Sequence, residues 1–314
     1  MSDPVVIVGL ARTPMGAFQG AFSSVSAPHL GAAAIKAAME EAGVPADKVE
    51  QTIMGCVLPA GQGQAPARQA AIYAGLGEHA EATTVNKMCG SGMQAAIMAH
   101  DAIKAGSIDV AVAGGMENMT RAPYLMPSAR SGARMGDAKM IDSMMFDGLT
   151  DAYEGGAMGV FADMIAKEYQ FTREQQDAYA IESVRRAKAA QEGGDFDREL
   201  TPVTVKGRKG DTVVTEDEGP KNARPEKIPS LRAVFSKDGT VTAANSSSIS
   251  DGASAVVLMR ASEAEKRGAE VVRPLKKVTC EQGDYYTAAI KGFGDVLNEF
   301  VQRPRPHFRP GFTK

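Results

Sequence analysis

Short apolar runs alternate with longer segments of helical periodicity over the first 120 residues of the chain. The apolar runs that predict buried strands cover residues 4–8, 49–58 and 109–115. Between the first two, apolar residues recur at helical spacing from Pro28 to Ala42, and the pattern stops at Gly43. This alternation of strand and helix predicts a layered α/β sheet and not an all-helical bundle.

The composition of the chain changes after about residue 120, where methionines, glycines and charged residues dominate. A long helix is predicted from Thr172 to Glu192, with Thr172 as its N-cap and Gly193-Gly194 as its stop. A buried strand at residues 251–259 and a short helix at residues 261–267 then return to the texture of the first part. The middle region therefore differs in composition from the α/β parts on either side of it.

Cys89 has the surroundings of a reactive thiol. A polar strand end at residues 83–86 leads to it, Gly90 and Gly92 follow, and an apolar helix begins at once. A sulfur at a helix start lies near unpaired N–H groups and the positive end of the helix dipole, which favours the nucleophilic thiolate. A lone cysteine beside glycine is also common as a small buried hydrophobe. The chemistry of the residues leaves both interpretations open.

Bulk composition excludes several classes of function. The 314 residues carry a net charge of −3, and the pI near 5.9 gives no reason to expect binding to nucleic acid or a membrane. Three widely spaced cysteines argue against a disulfide framework and against a zinc site, so no metal is expected. No signal peptide is visible, and a reducing cytoplasm is the expected location. Cys56 lies in a predicted strand and is expected to be a packed structural thiol.

The chain resembles the thiolases, which form or cleave 3-ketoacyl-coenzyme A thioesters. The motifs are A-R-T-P-M-G at residues 11–16, P-A-G-Q-G-Q-A-P-A-R-Q at 59–69, N-K-M-C-G-S-G-M-Q-A at 86–95, G-G-M-E at 114–117 and G-T-V-T-A-A-N-S-S at 239–247. The resemblance implies that Cys89 is the nucleophile of an acyl-cysteine intermediate, in an enzyme of the acetyl-CoA acetyltransferase type. It also implies coenzyme A thioesters as substrates, no permanently bound cofactor, and a homo-oligomer.

The same resemblance implies where coenzyme A lies. Ser247 matches the position that contacts the pantetheine arm, and Arg224, Lys227 and Leu231 lie near the nucleotide end. For the two cations a surface role is an equal alternative. The expected fold is one thiolase-like α-β-α half with an inserted loop domain. The expected segments are a first core part at 1–119, the inserted coenzyme A side at 120–243, a return to the core at 244–270 and an atypical tail at 271–314.

Two departures from the thiolase pattern stand out, the first bearing on the acyl pocket and the second on activity. Ala157 stands where many thiolases carry a histidine before M-G. After about Leu275 the family's N-E-A-F, G-H-P-x-G and C-x-G motifs are not intact, and His307 lies in a Pro/Arg-rich tail expected to be disordered. His100 is eleven residues beyond Cys89 along one helix, a rise of roughly 16 Å, which is too far for a hydrogen bond.

The loss of the C-terminal motifs predicts that the second catalytic half is absent or replaced, so condensation is expected to be negligible and the chain poorly soluble or self-associated. Two alternatives remain at this stage. The first is a non-catalytic remnant that binds coenzyme A or another subunit, and the second is a ketoacyl synthase-like condensing enzyme.

Overall fold

The computed structural model of the chain describes residues 3–268, 270–280, 283–291 and 297–302. The strands are β1 Val5–Arg12, β2 Gly16–Ala17, β3 Gln51–Gly55, β4 Glu81–Val85, β5 Val110–Asn118, β6 Tyr124–Leu125, β7 Ile141–Asp142, β8 Val203–Val205, β9 Thr212–Val214, β10 Ser250–Arg260, β11 Glu270–Cys280, β12 Gly283–Lys291 and β13 Leu297–Gln302. The α-helices are α1 Ala27–Ala42, α2 Pro66–Tyr73, α3 Ser91–Ala105, α4 Met158–Glu168, α5 Arg173–Gly193, α6 Glu218–Asn222 and α7 Ala261–Lys266. No helix among the described residues is both long and apolar enough to cross a membrane.

A mixed central sheet organises the first 260 residues. Its strand order is β1-β10-β5-β3-β4, and β2 pairs with one end of β10. Strands β5, β3 and β4 are parallel to one another, whereas β10 runs antiparallel to both β1 and β5. The β3, β4 and β5 ends nearest the start of α3 are therefore the carboxyl ends of parallel strands, which is where functional loops collect in such sheets.

Helices cover both faces of this sheet, as the α/β prediction required. One face packs against α1 and α2 through side chains that include Val110 and Val112, and the other packs against α3 through Ala111 and Ala113. Alternate residues of β5 thus serve opposite cores, because strand side chains point to opposite faces in turn. The small alanines on the second face allow α3 to approach the sheet closely. The α-β-α layering is confirmed.

Several boundaries differ from the sequence prediction. β1 continues through Arg12, four residues beyond the predicted strand at 4–8, because it pairs with β10 from Val5 to Arg12 with one irregularity between Ile7 and Gly9. β3 is shorter than predicted and ends at Gly55, so Cys56 lies just beyond the strand. Such errors arise because strand ends depend on a partner strand that is remote in sequence.

The segment between β5 and β10 leaves the sheet and returns to it. Helix α5 within it has the predicted N-cap: the Thr172 side chain accepts from the Gln175 N–H in a capping box, and Gly194 ends the helix in a left-handed conformation. Asp163 of α4 accepts the N–H groups of Thr240 and Val241, which fastens the returning chain to the inserted helices. The domain limits at 120–243 and 244–270 stay predictions.

Strands β11, β12 and β13 form a separate antiparallel sheet in that order. Apart from Glu270 at the start of β11, these strands lie in the segment 271–314 that was expected to be an atypical tail. His307 and the Pro/Arg-rich tail around it lie outside the described residues.

Candidate functional site

Cys89 lies in a tight turn between β4 and α3. The helix begins at Ser91 with Gly90 as its N-cap, so the cysteine precedes the first helical residue by two positions. The Ser91 hydroxyl accepts the N–H of Lys87 at 2.8 Å and donates to the carbonyl of Met88 at 2.5 Å. The Cys89 thiol is solvent-exposed. The predicted position at a helix start is therefore what the structure shows.

Met88 is under backbone strain. Its φ angle is +50°, in the left-handed region that residues with a Cβ avoid. Its N–H donates to the side-chain oxygen of Asn86 at 3.0 Å. Strain of this kind persists only where the surrounding contacts enforce it, and it concentrates at functional sites.

The start of α3 presses against the end of β3. A Cβ added at Gly55 would lie 2.7 Å from the Gly92 nitrogen and from the Ser91 backbone carbon. Only glycine fits so close an approach of two backbones. The contact fixes how far the start of α3 lies above the sheet, and it thereby fixes the position of Cys89.

A cavity of about 550 Å³ opens beside Cys89. Its walls come from the ends of β3 and β5, from β10, and from the π-helix Met144–Leu149. The side chains that line it are mostly apolar: Met15, Val57, Leu58, Met88, Met116, Met119, Leu149 and Ala253. The ionisable groups among the described lining residues are Arg12, Cys56, Cys89 and Glu117. An exposed thiol facing an apolar cavity can receive the acyl group of a bound thioester.

Glu117 is the central polar residue beneath the cavity. Its carboxylate accepts the N–H of Val57 at 2.7 Å and the N–H of Leu58 at 3.2 Å, and the Cys56 thiol donates to it at 3.6 Å. Burial raises the pKa of the Glu117 carboxyl, and these hydrogen bonds oppose the rise. Because both oxygens accept backbone donors from the residues that follow β3, the carboxylate joins the ends of β3 and β5.

Cys56 is the second thiol of the cavity. It is 2% exposed. Burial, followed by the nearby Glu117 charge, raises the pKa of Cys56 to about 12. A thiol of that pKa carries almost no thiolate at neutral pH, which makes Cys56 an inert packing residue.

Arg12 links the cavity to the inserted segment. Its guanidinium donates to both oxygens of Asp217, at 2.8 and 3.0 Å, and to Glu199. It also lies over the ring of Phe196, 5.1 Å from the centroid. The paired and stacked guanidinium therefore anchors the inserted chain next to β1.

The residues expected to bind coenzyme A lie apart from this cavity. Ser247, Arg224 and Lys227 are exposed, and neither they nor the half-buried Leu231 belongs to the cavity lining. Lys227 lies in the short 3-10 helix Pro225–Ser230, and Arg224 and Leu231 are its N-cap and C-cap. Arg173 of α5 holds this turn in place by donating a hydrogen bond to the Leu231 carbonyl at 2.8 Å. The structure brings Arg224, Lys227 and Leu231 together on one turn.

Sequence reasoning missed Asn86, Glu117 and Arg12 as individuals. All three belong to the thiolase-like motifs, but the neighbouring residues do not indicate which groups these side chains would hydrogen-bond. Glu117 contacts residues about 60 positions away and Arg12 contacts residues about 200 positions away. The one available signal was charge: a glutamate and an arginine each close an otherwise small or apolar strand.

Among the described residues no group of three or more His, Cys, Asp or Glu side chains is arranged to hold a metal ion. His29, His79 and His100 are described, and none of them lines the cavity. His100 is bound to its neighbour Asp101 at 2.9 Å on the exposed side of α3.

Fold and site define a layered α/β protein that presents a cysteine at the carboxyl edge of its parallel strands, beside an apolar cavity. The family model for the thiolase N-terminal domain matches residues 5–262. The chain belongs to the thiolase family.

Curated relatives extend this match. An acetyl-CoA acetyltransferase of Cupriavidus necator is 49% identical over 298 residues, covering 94% of this chain and 75% of the relative. One from Saccharomyces cerevisiae is 47% identical over 306 residues, covering 95% and 73%. One from Pseudomonas aeruginosa is 47% identical, covering 93% and 74%. With at least 93% of the chain covered, all three alignments extend past Leu275, where the motif resemblance was expected to end.

Proposed function

We propose that the chain is an acyltransferase of the acetyl-CoA C-acetyltransferase type, with Cys89 as the acyl acceptor. The observation that carries the proposal is the exposed Cys89 thiol at the start of α3, facing an apolar cavity. Identities of 47–52% to proteins named acetyl-CoA acetyltransferase support the substrate class. Coenzyme A thioesters are then the substrates, with no permanently bound cofactor.

The first half-reaction is a thioester exchange. The Cys89 thiolate attacks the carbonyl carbon of the acyl-coenzyme A, a C–S bond to Cys89 forms, and the C–S bond to coenzyme A breaks. Coenzyme A leaves as a thiolate and takes up a proton. The positive end of α3 favours the negative charge that develops on the thioester oxygen. In the second half-reaction, the α-carbon of another acyl-coenzyme A loses a proton to a base and bonds to the acyl carbon, or the coenzyme A thiolate attacks that carbon. In both cases the C–S bond to Cys89 breaks and Cys89 leaves as a thiolate.

Peptide mapping tests the assignment of Cys89 directly. After incubation with acetyl-CoA and acid quenching, the acetyl thioester should be found on the peptide that contains Cys89, and Cys89→Ala should abolish it. An acetyl group on Cys56 or Cys280 would contradict the proposal. Coenzyme A binding without acylation of Cys89 would favour a non-catalytic binding protein, and preference for an acyl-carrier-protein thioester would favour a ketoacyl synthase-like enzyme.

We place coenzyme A on the inserted side, with Ser247 at its pantetheine arm and the Arg224–Leu231 turn near its nucleotide. Two exposed cations on one turn suit phosphate groups, because a cation forms charge-assisted hydrogen bonds with them. Ser247→Trp should weaken coenzyme A binding at least tenfold while the circular dichroism spectrum stays unchanged. Ser107→Trp, at an exposed serine beyond the far end of α3, is the matched control. Equal affinities of the two variants would count against this placement.

We also propose that the chain forms a homo-oligomer. The outward side of α3 leaves Met93, Ile97 and Met98 exposed by 69%, 45% and 37%. Apolar side chains that adjoin in this way favour association. A cytoplasmic location stays a prediction, since a relative from Gibberella zeae is named as mitochondrial.

A further inference from the structure

The Val57–Leu58 peptide unit lies between Glu117 and the turn that carries Cys89. On one side, the Leu58 N–H donates to Glu117 at 3.2 Å, and the preceding Val57 N–H donates to the same carboxylate at 2.7 Å. On the other side, the Val57 carbonyl accepts from the Asn86 side-chain amide at 3.4 Å. One peptide unit thus donates its N–H to a carboxylate and accepts a hydrogen bond from a side-chain amide at its carbonyl.

Asn86 connects this peptide unit to the turn that carries Cys89. Its side-chain oxygen accepts the N–H of Met88, the residue whose φ angle is +50°. Because Asn86 must present its NH₂ group to Val57, the amide orientation that offers oxygen to Met88 is fixed by the same contact. Hydrogen bonds in such a chain strengthen one another through polarisation.

We propose that Glu117 and Asn86 are positioning residues for Cys89 and act through the shared Val57–Leu58 peptide. Glu117 holds the end of β3 in place, Asn86 takes its orientation from that peptide, and Asn86 keeps Met88 in the strained conformation that presents Cys89. This inference rests on the proposed function of Cys89 as acyl acceptor. Neither residue needs to touch the acyl group.

A second carboxylate of the same sheet provides a matched control. Glu50 accepts the N–H groups of Asp109 and Val110, which joins the other ends of β3 and β5. Glu50→Gln therefore removes the same kind of carboxylate clamp, at the end of the sheet remote from Cys89. A loss that is merely one of sheet stability should follow both substitutions alike.

The test is a double-mutant cycle on the full chain with Glu117→Gln, Asn86→Ala and the double variant. Two quantities are measured: the maximal rate and half-saturating concentration for acetylation of Cys89 by acetyl-CoA, and the rate of Cys89 alkylation by iodoacetamide. Each single substitution should lower the maximal acetylation rate about 10- to 100-fold, because small misplacements of a reacting group cost that much. The half-saturating concentration should change less than about twofold, and Glu50→Gln should react like the wild type.

The double variant decides whether the two residues act as one unit. It should be no slower than the slower single variant, because both substitutions break one linkage. The proposal would be overturned if the losses of acetylation rate in the two single variants multiply in the double variant. It would also be overturned if Glu50→Gln loses as much rate as Glu117→Gln, or if a folded Glu117→Gln reacts at the wild-type rate. If Asn86→Ala does not fold, Asn86→Asp replaces it, since this keeps the acceptor for Met88 but removes the donor to Val57.

The two readouts separate this proposal from the proposed function. If the wild type takes no acetyl group on Cys89, the acyltransferase assignment fails. The alkylation cycle still reports on the position of the thiol, and losses of alkylation rate that multiply in the double variant would then refute the positioning role.

Discussion

Gly55→Ala is the most direct test of how the sheet positions Cys89. The new Cβ would meet the Gly92 nitrogen, the Ser91 backbone carbon and the Ser91 Cβ, each at 2.7 Å. Two of these three atoms belong to the backbone, so no rotation of a flexible side chain relieves the contact. Gly55 does not have a positive φ angle, and the substitution therefore perturbs packing alone.

The geometry sets the magnitude of the effect. Non-bonded carbon atoms pack at roughly 3.5–4.0 Å, so the start of α3 must move outward by about 1 Å. Overpacking of this kind costs about 1–3 kcal/mol of unfolding free energy. A displacement of 1 Å at the nucleophile should in addition lower the rate of Cys89 acetylation about 100-fold.

Urea unfolding and the acetylation rate are the two assays, and Gly219→Ala is the control. A Cβ at Gly219 meets no atom within 4 Å, and its φ angle is also not positive. That control should acetylate at the wild-type rate. A Gly55→Ala protein with wild-type stability and wild-type acetylation would refute the claim that the β3 end fixes the height of the helix start.

Three further predictions follow from the described structure. Because the pKa of Cys56 is raised to about 12 from an ordinary 9.0, stability should fall by roughly 1.4 kcal/mol per pH unit between those values, and Cys56→Ala should lack this slope in urea unfolding. Thr172→Ala should lower the unfolding free energy of the chain by about 1 kcal/mol, and Thr172→Ser should restore it, as followed by the urea midpoint. Met93→Lys with Ile97→Lys should shift the light-scattering mass toward the monomer, whereas Tyr179→Lys, on a side chain 79% exposed, should not.

Each of these has an outcome that contradicts it. The sign of the first follows from proton linkage: the folded state keeps the thiol proton that the unfolded chain loses above about pH 9, so parallel pH curves for wild type and variant would contradict it. An unchanged urea midpoint would contradict the capping role. An unchanged mass in the lysine variants would place the association surface elsewhere.

Local signals in the sequence predicted the elements that depend on neighbouring residues. Thr172 and Gly194 bound α5 because a cap is satisfied within one turn. Cys89 could be placed before a helix because the glycines and the apolar helical segment that indicate the helix follow it directly. The alternation of strands and helices gave the layered fold, since periodicity records which face of each element is buried.

Contacts between remote residues were beyond such signals. The length of β1 follows from its pairing with β10, and the roles of Glu117 and Arg12 follow from partners that the topology brings to them. A motif names these residues, but only the sheet order shows that the ends of β3 and β5 meet beneath Cys89. The tight contact at Gly55 was equally invisible, because its partner helix begins 36 positions later.

The place of β10 in the sheet has a consequence for biosynthesis. This strand separates β1 from β5, yet it is translated about 250 residues after β1. At synthesis rates of roughly 5–20 residues per second, the ribosome needs on the order of 12–50 s to deliver it. β1 lacks its partner strand throughout that interval, and one edge of β5 is unpaired from the time β5 is made. Such edges are templates for pairing with another nascent chain. A slowly translated copy of this chain is therefore a natural client for chaperones that shield strand edges.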